Sequence, residues 1–186
     1  MTHELINKLK DLTSLSESQK ALFDLLAQLQ IDHETYQHPP IFTVDEGIAL
    51  AFHDHIPGRG GKSLLLTNKA GNLWLVIACE DTRTDIKALS GQLASGRLSF
   101  AKPEVMERVM GVTPGSATPF ALIQDKEHQI SVVIDEKFAA TTHCVFHPLK
   151  NNLSTVIKFN DLLHFLTYLG YVPIIMPLGI PLETGA

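Results

Sequence analysis

The sequence predicts an α+β fold in which helices surround a mixed, largely antiparallel sheet. Short apolar runs joined by turn sequences indicate hairpins, and helical segments with capping signals are scattered irregularly among them. This order differs from the regular strand and helix alternation of a doubly wound fold. With 186 residues, of which 45% are hydrophobic, the chain can bury a proper core as one domain.

Paired capping residues predict two helices in the first third of the chain. Ser16 and Gln19 have the spacing of a capping box and precede leucines and a phenylalanine at helical intervals. Thr43 and Glu46 have the same spacing, and the short helix that they open should end near a glycine-rich turn at residues 57–61. Two helices are therefore expected before the first long apolar run.

Three further helices are predicted from caps and terminating glycines. One begins at Thr84 or Asp85, and the next covers residues 103–111, with a proline in its first turn and a glycine at its end. A last helix is capped by Asn160 and stopped by Gly170.

Apolar or alternating runs predict seven strands. Two pairs of runs are separated by turn residues and should form hairpins, residues 63–67 with 73–79 and residues 120–124 with 129–135. The other predicted strands are residues 33–37, 144–146 and 155–159. We expect a single domain over residues 1–186, with an N-terminal helical extension to about residue 30 and a core of about residues 31–175.

Charge and cysteine content exclude several function classes. The formal net charge is −5, so nucleic acid cannot be held by bulk charge, and any phosphate contact needs a local basic cluster. Cys79 and Cys144 lie in apolar runs without disulfide or zinc spacing, which favours core positions in a reducing compartment. No signal-peptide core or membrane-length apolar stretch is present, so we expect a soluble, cytoplasmic protein.

The sequence Gly61-Lys62-Ser63 is not a phosphate-binding loop. That motif needs a glycine at position 56, where Ile56 stands, and it must lead into a helix, whereas the following leucines indicate a strand. Lys62 instead lies at the mouth of the glycine-rich turn. It is either a solvated loop lysine or a functional cation.

Residues 111–120 form the most unusual stretch, with two glycines, two prolines and three hydroxyl residues between a helix and an apolar run. Gly115 can adopt positive φ, and the amides of Gly115 and Ser116 could donate to an oxyanion or carbonyl. The alternative is a rigid connector.

His147 ends a strand before Pro148, which places it at the edge of the sheet. Together these residues predict one pocket whose chemistry the pattern leaves open.

Five stretches that include these residues resemble the freestanding prolyl-tRNA editing proteins, the ProXp-ala branch of the YbaK and ProRS-insertion superfamily. They occur in the family's order, and the resemblance covers about residues 31–175. The matching stretches are residues 38–43, 61–66, 98–101, 111–120 and 146–151. The block at 111–120 is the most specific of them.

The resemblance implies a barrel-like sheet and a trans-editing reaction, the hydrolysis of alanine mischarged on proline tRNA. Lys62 would lie beside the 3′-terminal adenosine, and the backbone of Gly115 and Ser116 would frame the aminoacyl carbonyl. His147 would position the terminal nucleotide or the attacking water. No metal or cofactor is expected, because a water or the ribose hydroxyl of the substrate does the chemistry.

The resemblance also implies a wider set of contacts. Residues expected to bind substrate are Phe42, Ser63, Thr113, Pro114, Thr118 and Asn151. Residues expected to form a basic rim for tRNA are Arg59, Arg97, Lys102 and Lys150. The expected partners are mischarged tRNA and, in addition, prolyl-tRNA synthetase or an elongation factor.

Ser63 departs from the family pattern, which usually has asparagine after the lysine. Serine keeps a hydroxyl and loses the paired donor and acceptor of an amide, so the amino-acid specificity depends on this position. Two alternatives follow, namely the same reaction on Cys-, Ser- or Thr-tRNA, and a non-catalytic module that binds tRNA or a synthetase.

Overall fold

The computed structural model of the protein describes residues 6–9, 13–49 and 52–179. Within these ranges the strands are β1 (Asn7–Lys8), β2 (His33–Gln37), β3 (Arg59–Thr67), β4 (Leu73–Cys79), β5 (Ser99–Phe100), β6 (Ile130–Asp135), β7 (His143–Phe146), β8 (Leu153–Lys158) and β9 (Ile174–Met176). The α-helices are α1 (Glu17–Gln28), α2 (Val44–Ala49), α3 (Phe52–His55), α4 (Ile86–Gln92), α5 (Pro103–Met110) and α6 (Phe159–Tyr168). Two 3₁₀ helices cover Pro119–Gln124 and Glu136–Ala140.

The strands form one mixed sheet in the order β1-β2-β8-β7-β3-β4-β6-β9, with β5 paired to β3. The pairs β3–β7, β4–β6 and β6–β9 are parallel and the other pairs are antiparallel. The α+β class with a mixed, largely antiparallel sheet is therefore confirmed. In the described part of the chain the sheet does not close into a barrel, because β1 and β9 remain its two edges.

Local capping signals placed most helices correctly. The Ser16 and Gln19 capping box is formed in full at the start of α1, and Thr43 and Glu46 exchange the corresponding bonds at the start of α2. Asp85 caps α4 by accepting from the amides of residues 87 and 88. α5 begins at a proline and ends at Gly111, whose φ of 64° is the left-handed conformation that glycine favours.

Three predictions of local structure are wrong. Residues 119–124 form a 3₁₀ helix rather than a strand, so the second predicted hairpin does not exist, and β6 pairs instead in parallel with β4. The helix predicted to be capped by Asn160 begins two residues earlier, at Phe159, after Lys158, which forms no side-chain cap. The predicted glycine turn at 57–61 is largely part of β3, which begins at Arg59.

The core occupies both faces of the central strands. In β4, Leu75, Ile77 and Cys79 belong to the largest buried cluster, which packs against α1, α5 and α6. Val76 and Ala78 face the opposite side, where a second cluster packs against α4. Both free cysteines are fully buried, which confirms their assignment to the core. Among the residues described, none of the helices has the length and apolar character needed to cross a bilayer.

Candidate active site

A cavity of about 580 Å³ opens where β3 and β7 meet two loops. It is lined by residues of β3 and by the end of β7 at His147, and across from them by residues 41–43 and the 114–117 segment. Lys62, Gly115 and His147 all line this cavity, so the structure brings the three distant segments of the sequence together.

Lys62 lies within β3 and not in a flexible turn, as its place in the sequence had indicated. Its backbone is paired with Ala78 of β4, and its Nζ donates to the carbonyl of Glu80 at 3.1 Å. An ammonium has three N–H donors, so one bond to a carbonyl leaves donors for a ligand in the cavity. Because β3 continues through residues 64–67, the structure agrees with the exclusion of a phosphate-binding loop.

The glycines before Lys62 make room for neighbouring side chains. A Cβ at Gly60 would overlap the carboxylate of Glu80, and one at Gly61 would overlap the ring of Phe146. The glycine run that resembled a turn therefore permits close packing over a strand, and this packing shapes the floor of the cavity.

Gly115 has a φ of 88°, as the sequence predicted for a residue that lets a ligand approach the backbone. The position of a Cβ on Gly115 lies 3.1 Å from Cδ1 of Phe42, across the mouth of the cavity. The amide of Ser116 donates to the carbonyl of Thr113 at 3.0 Å and is engaged within the turn. The role of the Gly115 and Ser116 amides toward a substrate carbonyl stays a prediction, and in this conformation the Ser116 amide is engaged within the loop.

His147 is held in one orientation by the strand that follows it. Its Nδ1 lies 2.8 Å from the carbonyl of Leu153, which can only accept, so Nδ1 carries the proton and Nε2 keeps its lone pair. Burial lowers the pKa of His147 below its ordinary value; the hydrogen bond to Leu153 opposes this shift, and the nearby His38 adds to it. The side chain is therefore a neutral imidazole with a basic nitrogen at neutral pH.

A second imidazole lies behind His147, linked to it by a hydroxyl group. Ser154 Oγ is 3.3 Å from His147 Nδ1 and 3.0 Å from His38 Nε2, and Nδ1 of His38 is 2.8 Å from the carbonyl of Pro39. Since that carbonyl accepts, His38 donates through Nδ1, and its Nε2 accepts the proton of Ser154. Sequence reasoning missed both residues: a histidine before two prolines and a serine inside an apolar strand give no local signal of a polar network.

The other predicted substrate-binding residues divide into two groups. Phe42, Ser63 and Pro114 line the cavity, while Asn151 lies beside it and donates through Nδ2 to the carbonyl of Ile41 at 3.1 Å. The Oγ of Ser63 is buried and has no hydrogen-bond partner among the described residues.

Two other predicted substrate-binding residues are placed elsewhere. Thr113 is exposed and does not line the cavity. Thr118 is buried and caps the 3₁₀ helix at the amide of Phe120, which makes its role structural.

The four predicted rim residues lie outside the cavity lining. Arg59 pairs with Asp81 at 2.8 Å and lines a separate, shallower depression with His143. Lys102 and Lys150 are exposed, each within three residues of a residue that lines the cavity, and Arg97 is exposed in the loop before β5.

Comparison with known proteins gives a consistent result. The profile of the aminoacyl-tRNA editing domain matches residues 38–165, which is more than half of the chain. Prolyl-tRNA editing protein ProX of Acetoanaerobium sticklandii is 28% identical over 149 residues, covering 78% of this chain and 88% of its own. Prolyl-tRNA synthetase associated domain-containing protein 1 of Bos taurus is 34% identical over 166 residues, covering 87% and 95%.

A solved structure presented as a candidate trans-editing enzyme for prolyl tRNA synthetase has the same fold. Its TM-score is 0.67 at 18% identity, over 90% of this chain and 99% of that one. This likeness confirms the fold. The chain belongs to the aminoacyl-tRNA editing domain family, and by class it is an aminoacyl-tRNA deacylase.

Proposed function

We propose that this protein hydrolyses the ester of Ala-tRNA(Pro) in trans. The observation that carries the proposal is the meeting of Lys62, Gly115 and His147 at one cavity. The names of two relatives, a prolyl-tRNA editing protein and a prolyl-tRNA synthetase associated protein, support proline tRNA as the carrier and the synthetase as a partner.

Alanine is the amino acid for which such a reaction is most needed. A synthetase pocket built for proline gains only about 1–3 kcal/mol of discrimination from each missing methylene, so it charges some alanine. A second site that admits alanine and excludes the proline ring supplies the remaining fidelity. The apolar lining of the cavity beside Lys62, which includes Leu64, Leu65 and Phe146, suits a methyl side chain.

The proposed mechanism uses the neutral imidazole of His147 as a base. Nε2 takes a proton from water, and the water oxygen attacks the ester carbonyl to give a tetrahedral oxyanion. Collapse of this intermediate breaks the bond to the ribose oxygen, and the proton on His147 passes to that oxygen as it leaves. The products are alanine and the free 3′ end of the tRNA.

Lys62 and Gly115 would stabilise the oxyanion in this scheme. The ammonium of Lys62 is fixed by the carbonyl of Glu80, so its direction is set before substrate binds. Preorganised donors of this kind act where negative charge develops and need little reorganisation. Gly115 has the left-handed conformation that favours glycine, and because glycine has no side chain, substrate can approach the backbone of the loop here.

Release of alanine from Ala-tRNA(Pro) tests the proposal. Lys62→Ala should lower kcat by about 10²- to 10³-fold, the usual cost of one oxyanion donor. Lys69→Ala, an exposed lysine in the turn between β3 and β4, is the matched control and should keep the wild-type rate. Equal rates for Lys62→Ala and wild type remove Lys62 from the site, and no release by the wild type rejects the activity.

Ser63 supports a second candidate, in which the amino acid is cysteine, serine or threonine. Its hydroxyl is buried and has no partner in the described part of the chain, and the residue lines the cavity, so a polar substrate group could satisfy it. A panel of Ala-, Cys-, Ser- and Thr-tRNA separates the candidates. Ser63→Asn should change the order of preference if this position reads the amino acid.

A non-catalytic module is the remaining alternative. It predicts that gel-shift experiments detect tRNA binding while no mischarged tRNA in the panel is hydrolysed.

An enzyme that works on aminoacylated tRNA meets its substrate where translation occurs, so we propose the cytoplasm as its compartment. The two free, buried cysteines are in keeping with a reducing environment.

A further inference from the structure

Two phenylalanine side chains line the cavity and yet face solvent. Phe42 and Phe100 are 64% and 62% exposed, and both belong to the cavity lining. The other exposed large apolar side chains of the described residues all lie within residues 168–175. Large aromatic rings left in water at the mouth of a cavity indicate a ligand that covers them.

Phe42 marks the end of the cavity where the reaction is proposed to occur. The residue before it, Ile41, is fixed to Asn151 by two hydrogen bonds, from its amide at 3.0 Å and to its carbonyl at 3.1 Å. The ring lies against Gly115, 3.1 Å from the position that a Cβ would take there. A flat group stacked on Phe42 would therefore be next to the ester.

Phe100 lies in β5, in another part of the cavity lining. It is the cross-strand partner of Leu66, and Leu66 shares a face of β3 with Lys62 because side chains alternate along a strand. The four residue steps from Lys62 to Leu66 correspond to roughly 13 Å. Phe100 therefore lies well along β3 from Lys62, and a base stacked on it is a different one from the base next to the ester.

The aromatic and basic side chains at Phe42 and at Phe100 are of the kind that binds two successive nucleotides. The bases of an unpaired strand expose their π faces, and proteins hold such bases on aromatic rings beside basic side chains that contact the phosphates. The exposed Lys102 follows Phe100 by two residues, and the exposed Lys150 precedes Asn151. We propose that Phe42 stacks the terminal base of the tRNA and that Phe100 stacks the base before it.

The trinucleotide CpCpA and adenosine, neither of which carries an amino acid, are the probes that separate the two stacking positions. Isothermal titration should show that Phe100→Ala weakens CpCpA binding by roughly 5- to 140-fold and leaves adenosine binding unchanged. Phe42→Ala should weaken the binding of both. Phe100→Trp should restore CpCpA binding, and Val172→Ala, an exposed apolar residue away from the cavity, is the matched control.

Several results would overturn the proposal. These are equal CpCpA binding by Phe100→Ala and wild type, parallel losses for both probes in Phe100→Ala, or wild-type binding of CpCpA no tighter than that of adenosine. Phe42→Leu, which keeps the apolar volume and removes the ring, should behave as Phe42→Ala does, and this excludes a folding defect as the cause.

The stacking positions rest on the proposed deacylase function, but their test needs no hydrolysis. If CpCpA binds in the expected pattern and no alanine is released from Ala-tRNA(Pro), the deacylase proposal fails and the two base positions stand. If alanine is released and Phe100→Ala changes neither CpCpA binding nor the rate, the base positions fail and the enzyme stands.

Discussion

Ser154 connects two imidazoles that no local sequence pattern relates. Its hydroxyl donates to His38 Nε2 at 3.0 Å, and its oxygen lies 3.3 Å from the protonated Nδ1 of His147. His38 is 4% exposed and does not line the cavity. It therefore acts on the cavity through Ser154, which gives it a positioning role.

Ser154→Ala should lower kcat by about 2- to 12-fold with KM unchanged, because one neutral hydrogen bond that orients His147 is lost. The bond from His147 to Leu153 remains, so the base should be less ordered and still present. Steady-state kinetics on Ala-tRNA(Pro) measure the effect, and ¹⁵N chemical shifts of His147 report its tautomer. Ser131→Ala, an exposed serine of β6, is the control. An unchanged kcat with an unchanged tautomer would contradict the positioning role.

The two buried imidazoles also predict how stability depends on pH. Burial lowers the pKa of His38 and of His147 below the ordinary value of 6.5. Between pH 6.5 and the lower pKa values of the folded protein, the unfolded chain therefore binds more protons than the folded protein does. The stability that the two neutral rings contribute is fully present above about pH 6.5 and falls as the pH decreases below it.

Urea unfolding at pH 7.5 and pH 5.5 should give a lower midpoint at pH 5.5. This decrease of the midpoint should be smaller in His38→Gln, because glutamine cannot take up the proton. His164→Gln, which replaces an exposed histidine, should show the same decrease as the wild type. A wild-type midpoint that does not change with pH would contradict burial of the two neutral rings.

At the level of elements, local sequence signals were enough to predict the helices that begin at capping residues. They were not enough to predict the pairing of strands that are far apart in sequence. Residue 16 and its partner at 19 predicted α1 because both capping bonds lie within one turn. Residues 119–124 were mistaken for a strand because a short apolar run has no decisive period, and the Thr118 cap before a proline favours a helical turn. The parallel pairing of β6 with β4 depends on residues far apart in sequence, which no turn motif encodes.

The strand that holds Lys62 needs a glycine in addition to its buried leucines. A Cβ at Gly61 would overlap the Phe146 ring, so Gly61→Ala should lower the free energy of unfolding by about 1–3 kcal/mol through overpacking. Gly91→Ala is the matched control, because it lies in α4 with open space around it and should raise stability by about 0.5–1 kcal/mol. Urea unfolding curves measure both variants. A neutral Gly61→Ala would mean that the ring moves aside freely.

At the scale of the whole molecule, a protein with a net charge of −5 must bind a polyanion through a few local cations. The chain belongs to a family of aminoacyl-tRNA editing domains, whereas the charge balance alone would have argued against tRNA. Composition therefore limits how many phosphates are contacted and does not exclude the contact. Of the four basic rim residues that were predicted, Lys102 and Lys150 are exposed and lie close in sequence to residues that line the cavity, whereas Arg59 is paired with Asp81.

The salt dependence of tRNA(Pro) binding tests which of these cations contact phosphate. Each contact contributes about 0.7 to 0.9 to the slope of log affinity against log salt. Lys102→Gln and Lys150→Gln should each reduce the slope by roughly that amount, since both side chains are exposed near the cavity mouth. Arg59→Gln should change it less, because its guanidinium is paired with Asp81 beside a different depression. A larger reduction for Arg59→Gln than for either lysine variant would place the tRNA over that depression and away from the cavity, because counterion release reports only the cations that the phosphates actually replace.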